Sequence, residues 1–238
     1  MKISRYKPGD ECSYALGASL TVELLKSRQE SVRQVFYSTD AEHNEKLDYI
    51  TSLCSDAGIV PETNDKPFNV LSQKGNCYVI AVFEKFKPKT DNGNHILLVN
   101  PSDAGNLGTI IRTAAGFGLL NICIIPPAAD IFDPKTVRAS MGALFHVNYE
   151  YFDSFESYRE RFSENNLFSF MLTSSTPLES VPIKSPFTLV FGNEASGLPD
   201  SYAETCTSVR IPHSDRIDSL SLPIAAGIGI YTATKNLQ

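Results

Sequence analysis

Asn100-Pro-Ser-Asp-Ala-Gly-Asn-Leu-Gly-Thr-Ile-Ile-Arg112, directly after the apolar run Ile96 to Val99, decides the fold. An apolar run of that length reads as a buried strand. Leu107, Ile110, Ile111, Ala114 and Ala115 then recur at helical spacing, which predicts a helix starting near Asn106, a residue suited to an N-cap, with Arg112 on the face opposite the apolar stripe. Two further stretches repeat the plan of strand, small polar loop and helix. They are Leu189-Val-Phe-Gly-Asn-Glu-Ala-Ser-Gly-Leu-Pro199 and Ile211-Pro-His-Ser-Asp-Arg-Ile-Asp-Ser-Leu-Ser221. Open α/β sheets bind ligands at the carboxyl ends of their strands, so the three loops are expected to converge on one site.

Working outward, the C-terminal half alternates regularly. Ile96 to Val99, Ile122 to Ile125, Leu167 to Leu172, Thr188 to Phe191 and Ser208 to Ile211 are the expected strands, which predicts a largely parallel sheet covered on both faces. A break falls at Phe86-Lys-Pro-Lys-Thr-Asp-Asn-Gly-Asn94, where apolar residues stop and Pro, Gly and Asn cluster. It separates an N-terminal domain, 1–88, from a C-terminal one, 94–238. In the first, Ala15 to Lys26 and Asn44 to Ala57 read as helices, and Val32 to Tyr37 and Cys77 to Phe83 as strands.

The 238 residues are 42% hydrophobic, normal for a chain with a sizeable core. No apolar stretch approaches the roughly 20 residues that span a bilayer, and the start lacks a signal-peptide core, so no membrane partner and a cytoplasmic location are expected. Cys12, Cys54, Cys77, Cys123 and Cys206 form no CxxC pair, which points to neither a disulfide framework nor a zinc site. Net charge is -6, which disfavours indiscriminate nucleic-acid binding. The acidity is uneven, however. Residues 1–90 balance to zero, with Lys2, Arg5 and Lys7 at one end and Lys85, Lys87 and Lys89 at the other.

Taken alone, each loop also has a plain structural reading. Gly105 and Gly108 allow close approach of a ligand, but their spacing is neither the dinucleotide fingerprint nor a P-loop. Glu194, just past a strand end, is equally suited to a ribose or amine and to capping the next helix. Ala225, Ala226, Gly227 and Gly229 imply a closely packed terminal helix with Pro223 in its first turn. His213 reads as a loop histidine with a local hydrogen bond.

Taken together, the three loops and Val137-Arg-Ala-Ser-Met-Gly-Ala-Leu-Phe-His146 resemble the SpoU family of RNA methyltransferases, of the SPOUT superfamily, from Ile96 to Leu237. The N-terminal part is similar to the ribosomal-protein-like RNA-binding domain that many members carry. The resemblance implies an α/β fold, a parallel-sheet SPOUT domain with a C-terminal trefoil knot preceded by a small α/β RNA-binding domain. It implies a homodimer, S-adenosylmethionine as methyl donor, and a ribose 2′-hydroxyl of rRNA or tRNA as acceptor, with no DNA partner. By the same resemblance Asn106, Arg112, Glu194 and Ser219 are the catalytic set. Thr173, Gly192, Ile211, Leu220 and Ser221 would hold the donor, mostly through backbone. The chain departs from the family pattern at Ser221, where members usually have Asn, and at His213-Ser-Asp-Arg216, where a Gly is usual. The departures leave open an RNA-binding or ribosome-assembly protein that kept the fold with weakened turnover.

Overall fold

The computed structural model describes residues 3–71 and 77–235, so Lys2 and Leu237 lie outside the described residues. Two compact units emerge, residues 1–86 with 130–146, and residues 87–129 with 147–238. Residues 130–146, expected within 94–238, fold with the first unit.

The first unit opens with β1 (Cys12–Leu16), α1 (Ala18–Ser27), β2 (Val32–Tyr37), α2 (Glu45–Asp56), β3 (Glu62–Thr63), α3 (Lys66–Leu71) and β4 (Val79–Glu84). Its sheet runs β1-β4-β2-β3, with β4 antiparallel to both neighbours. The helix expected from Ala15 begins only at Ala18. Ala15 instead pairs with Ala81 in the sheet, and Gly17, at φ 117°, turns the strand into the helix through a conformation that glycine adopts readily.

The chain then builds β5 (His95–Val99), α4 (Ala104–Gly116) and β6 (Asn121–Ile125) of the second unit. It returns to the first unit with α5 (Pro134–Ala139). There the Ser13 hydroxyl donates to the Phe132 carbonyl at 2.5 Å, and Phe83 meets Phe145 edge-on at 5.4 Å. The remainder is β7 (Asn148–Tyr151), α6 (Phe155–Arg161), β8 (Asn166–Phe170), β9 (Phe187–Phe191), α7 (Ser201–Thr205), β10 (Thr207–Val209) and α8 (Leu222–Thr234).

The second unit's six strands are all parallel, in the order β10-β8-β9-β5-β6-β7. Every residue of β5, β6 and β9 is buried, which is why these strands read as unbroken apolar runs. One face carries Leu97, Val99, Cys123, Ile125 and Val190 into a core closed by Phe155, Tyr158 and Phe162. On the other face, α8 packs against β9. A Cβ at Gly229 would stand 2.6 Å from the Phe170 ring and 3.1 Å from the Phe191 ring, whereas one at Gly227 would meet only a Thr113 methyl at 3.9 Å. Of the small residues expected to pack the terminal helix closely, Ala226 and Gly229 are buried and Gly229 is tightly enclosed, whereas Ala225 and Gly227 are half-buried and Gly227 leaves room for a methyl group. Among the described residues no helix is long and apolar enough to cross a membrane.

At the amino ends of the strands, His95 is buried between two partners. Nε2 lies 2.7 Å from the Asp91 carbonyl, which can only accept, so Nδ1 accepts from the Tyr158 hydroxyl at 2.7 Å. Burial holds the imidazole neutral by pushing its pKa down.

Replacing Gly229 by Val should cost about 1–3 kcal/mol in denaturant unfolding, while Gly227→Ala should gain about 0.5–1 kcal/mol through helix propensity. Because the folded-state pKa of His95 lies below its ordinary value of about 6.5, its contribution is complete above that pH and is lost on acidification. Stability should therefore fall between pH 7 and 5.5, where most carboxylates are still ionised, and the fall should be smaller in His95→Gln.

Candidate active site

α4 is capped by Asp103, not by Asn106. The Asp103 carboxylate accepts from the Asn106 backbone N–H at 2.7 Å and the helix begins at Ala104, which makes Asn106 the third helical residue. The Asn106 side chain is thereby free. Its Nδ2 donates to Glu194 at 3.2 Å.

Glu194 receives more than this one bond. The Ser102 N–H donates at 3.0 Å, the Ser102 hydroxyl at 2.7 Å and the Asp103 N–H at 3.2 Å, so the carboxylate closes the amino end of α4 from a loop some 90 residues away. Burial by itself pushes the carboxyl up. The bonds from Ser102 and Asn106 outweigh it and bring the pKa down to about 2. Glu194, suited by sequence to capping the next helix, bonds instead to Ser102, Asp103 and Asn106 at the start of the earlier one.

The loop that presents Glu194 is held by its own backbone. Asn193 and Gly197 exchange two hydrogen bonds, at 3.2 and 2.9 Å, and Asn193 Oδ1 accepts from the N–H groups of Ala195 and Ser196. Asn193 Nδ2 ties the turn to the end of β5 through the Asn100 carbonyl at 2.8 Å. A Cβ at Gly192 would fall 2.2 Å from the Gly197 carbonyl carbon, so only glycine fits there. Asn193, Ser102 and Asp103 escaped the sequence reading, because their partners are set by a meeting of two loops.

Beside this turn, at the carboxyl ends of β8, β9 and β10, lies a pocket of about 340 Å³. Thr173, Gly192, Glu194, Ile211, Ser219 and Leu220 all line it. Asn106 reaches it through Glu194. Arg112 and Ser221 are not among its lining residues. Arg112 is exposed on α4, and among the described residues its guanidinium has no hydrogen-bond or ionic partner. Ser221 is the N-cap residue of α8, its carbonyl accepting from Ile224 and Ala225 and its side chain making no cap bond. His213 also lines the pocket. Its Nδ1 donates to the Ile211 carbonyl at 3.0 Å, the local bond expected of it.

A wider hollow of about 590 Å³ opens at the amino ends of β8 and β10, lined by Arg159, Asn166, Lys184 and Thr207 among others. None of the expected site residues borders it. Parallel α/β sheets place ligands at the other end, so the smaller pocket is the candidate site.

Fold and site together define an α/β protein with a small-ligand pocket at the carboxyl edge of a parallel sheet, made by the segments that follow β8, β9 and β10, with the loop before α4 joined to it only through Glu194. The profile of the SpoU rRNA Methylase family matches residues 93–231, and the chain belongs to that family. It is 31% identical over 146 residues to an uncharacterized tRNA/rRNA methyltransferase of Synechocystis sp., covering 59% of this chain and 52% of the relative. It is 29% identical over 157 residues to the 23S rRNA (guanosine(2553)-2'-O)-methyltransferase RlmP of Bacillus subtilis, covering 64% and 63%. The chain thus spans about half to two thirds of the length of these relatives. Among solved structures, the AdoMet-bound rRNA methyltransferase from Sinorhizobium meliloti superposes with a TM-score of 0.80 at 26% identity, over 96% of this chain and 88% of that one.

Replacing Glu194 by Gln puts an amide N–H against donors and should cost about 1–2 kcal/mol in unfolding free energy. The carboxyl lies at about 2 when folded, against an ordinary 4.5, so its contribution is complete above pH 4.5 and lost as pH falls toward 2. The stability difference between wild type and Glu194→Gln should shrink across that interval in acid titrations monitored by circular dichroism.

Proposed function

We propose that the protein transfers the methyl group of S-adenosylmethionine to a ribose 2′-hydroxyl of ribosomal or transfer RNA. The observation that carries this reading is the meeting, at one strand edge, of a small pocket with the Glu194–Asn106 clamp on the helix that bears an unpaired arginine. The Sinorhizobium neighbour binds S-adenosylmethionine, and the Bacillus relative is a ribose 2′-O-methyltransferase of 23S rRNA. The pocket suits such a donor. Its volume is that of a small-cofactor site, apolar side chains such as Leu198 and Leu222 border it, and Gly192 brings bare backbone to its wall.

In this reading the donor supplies an activated methyl group and the chain supplies position and charge. Glu194 is saturated with donors and stays ionised, so it fixes Asn106 and the start of α4 and does not take up a proton. Arg112 lies six residues beyond Asn106, about 9 Å further along the helix axis. It holds a phosphate of the RNA and stabilises the developing alkoxide. Ser219, exposed at the pocket, orients the acceptor hydroxyl. Thr173, Ile211, Leu220 and Gly192 present backbone to the donor. Ser221, capping α8, sets the direction in which Leu220 leaves the pocket.

The C-terminal trefoil knot belongs to the same proposal. Supporting it, β10 sits at the sheet edge and residue 210 is bonded to both Thr176 and Leu178, yet α8 begins only at Leu222 and packs against β9, two strands inward. A second copy of the chain is the proposed occupant of the outer side of α8. The helix is apolar on all sides, and Ile224 and Tyr231 remain 55% and 56% exposed. The first unit is proposed to hold the RNA, through exposed cations that include Arg5, Lys7, Lys135 and Arg138. Free thiols at all five cysteines suit a reducing, cytoplasmic setting.

Nucleoside mass spectrometry of rRNA and tRNA from cells with and without the gene should show one 2′-O-methyl nucleotide lost in the deletion, and an unchanged set counts against the proposal. Arg112→Ala should lower turnover by at least about 100-fold while leaving S-adenosylmethionine affinity within about twofold.

A further inference from the structure

Four titratable side chains line the pocket: Glu194, Asp200, Arg210 and His213. Two are already committed. Glu194 is saturated by the amino end of α4, and His213 Nδ1 donates to the Ile211 carbonyl. The other two are not. Asp200 precedes α7 without making a side-chain cap bond, and the Arg210 backbone bonds Thr176 and Leu178 while its guanidinium has no partner among the described residues. Nor do Asp200 and Arg210 form an ion pair with each other.

One carboxylate and one guanidinium, both unpaired and bordering the same small pocket, complement a ligand end that carries one positive and one negative charge. We propose that Asp200 and Arg210 form the subsite for the zwitterionic amino-acid end of the methyl donor. Asp200 accepts from the α-ammonium, and Arg210 donates to the α-carboxylate. The proposal rests on the methyltransferase reading and adds to it the part of the ligand that side chains, rather than backbone, select. The family resemblance assigns neither residue.

The test separates the two claims by comparing ligands that differ only at that end. S-adenosylhomocysteine carries the amino-acid tail, and 5′-methylthioadenosine is the corresponding thioether without it. In isothermal titration calorimetry, wild-type protein should bind the homocysteine compound at least about tenfold more tightly. Asp200→Asn and Arg210→Gln should each weaken that affinity about tenfold and leave methylthioadenosine within about twofold. Neither side chain makes a hydrogen bond or ion pair among the described residues, so thermal midpoints should not move. Equal affinity of wild type for both ligands, or an unchanged ratio in both variants, overturns the subsite and leaves the methyltransferase reading standing. No binding of either ligand by wild type removes both.

Discussion

The second unit depends on one carboxylate at one helix end. The N–H groups of Ser102 and Asp103, which lead into α4, have no partners within the helix, and the chain must also place the turn after β9 beside them. Glu194 meets both needs: it satisfies the Ser102 and Asp103 N–H groups and, in doing so, locks the two loops together. Asp103 completes the cap from the other side by accepting from Asn106. A low pKa is the electrostatic record of that arrangement. Several convergent donors stabilise the charged form by more than burial disfavours it.

From that fixed point the remaining geometry follows by packing. The turn at residues 192–197 closes so tightly that no side chain fits at Gly192, which leaves backbone as one wall of the pocket. α8 reaches the sheet closely because Gly229 lets the stacked rings of Phe170 and Phe191 approach, their centroids 4.3 Å apart. Phe170 and Phe191 also border the pocket, so the packing of α8 and the shape of the site are set by the same two rings.

Much of this was legible in the sequence where a single physical cause dominates. β5, β6 and β9 are buried on both faces, so nothing interrupts their apolar runs, and the parallel sheet could be read from them. Where causes compete, the reading slipped. Ala15, Leu16 and Leu20 fit a helical stripe as well as they fit the end of β1, and only the positive φ of Gly17 separates strand from helix. β7 lies at the sheet edge, half-exposed, and Asn148-Tyr-Glu-Tyr151 carries too little apolar content to announce it. Residues 130–146 lie between two strands of one unit and fold with the other, an affiliation made by contacts such as Ser13 with Phe132, 119 positions apart. Asn106 has the side chain of a cap, but the cap is Asp103, three residues earlier, and only coordinates show which oxygen meets the N–H.

The charged groups at the site divide according to what water can reach. Glu194 is partly buried and fully bonded, as a carboxylate must be when desolvation would otherwise raise its free energy by several kcal/mol. Arg112, Asp200 and Arg210 are exposed and, among the described residues, unpaired. Solvation makes that state inexpensive in the free protein, and it leaves their hydrogen-bonding capacity uncommitted. A partner that displaces this water must therefore supply complementary charge, or leave a group desolvated and unmet. The frame of the site is thus built from satisfied charge and its selectivity from unsatisfied charge. Only the second kind can change a ligand's affinity without first loosening the fold.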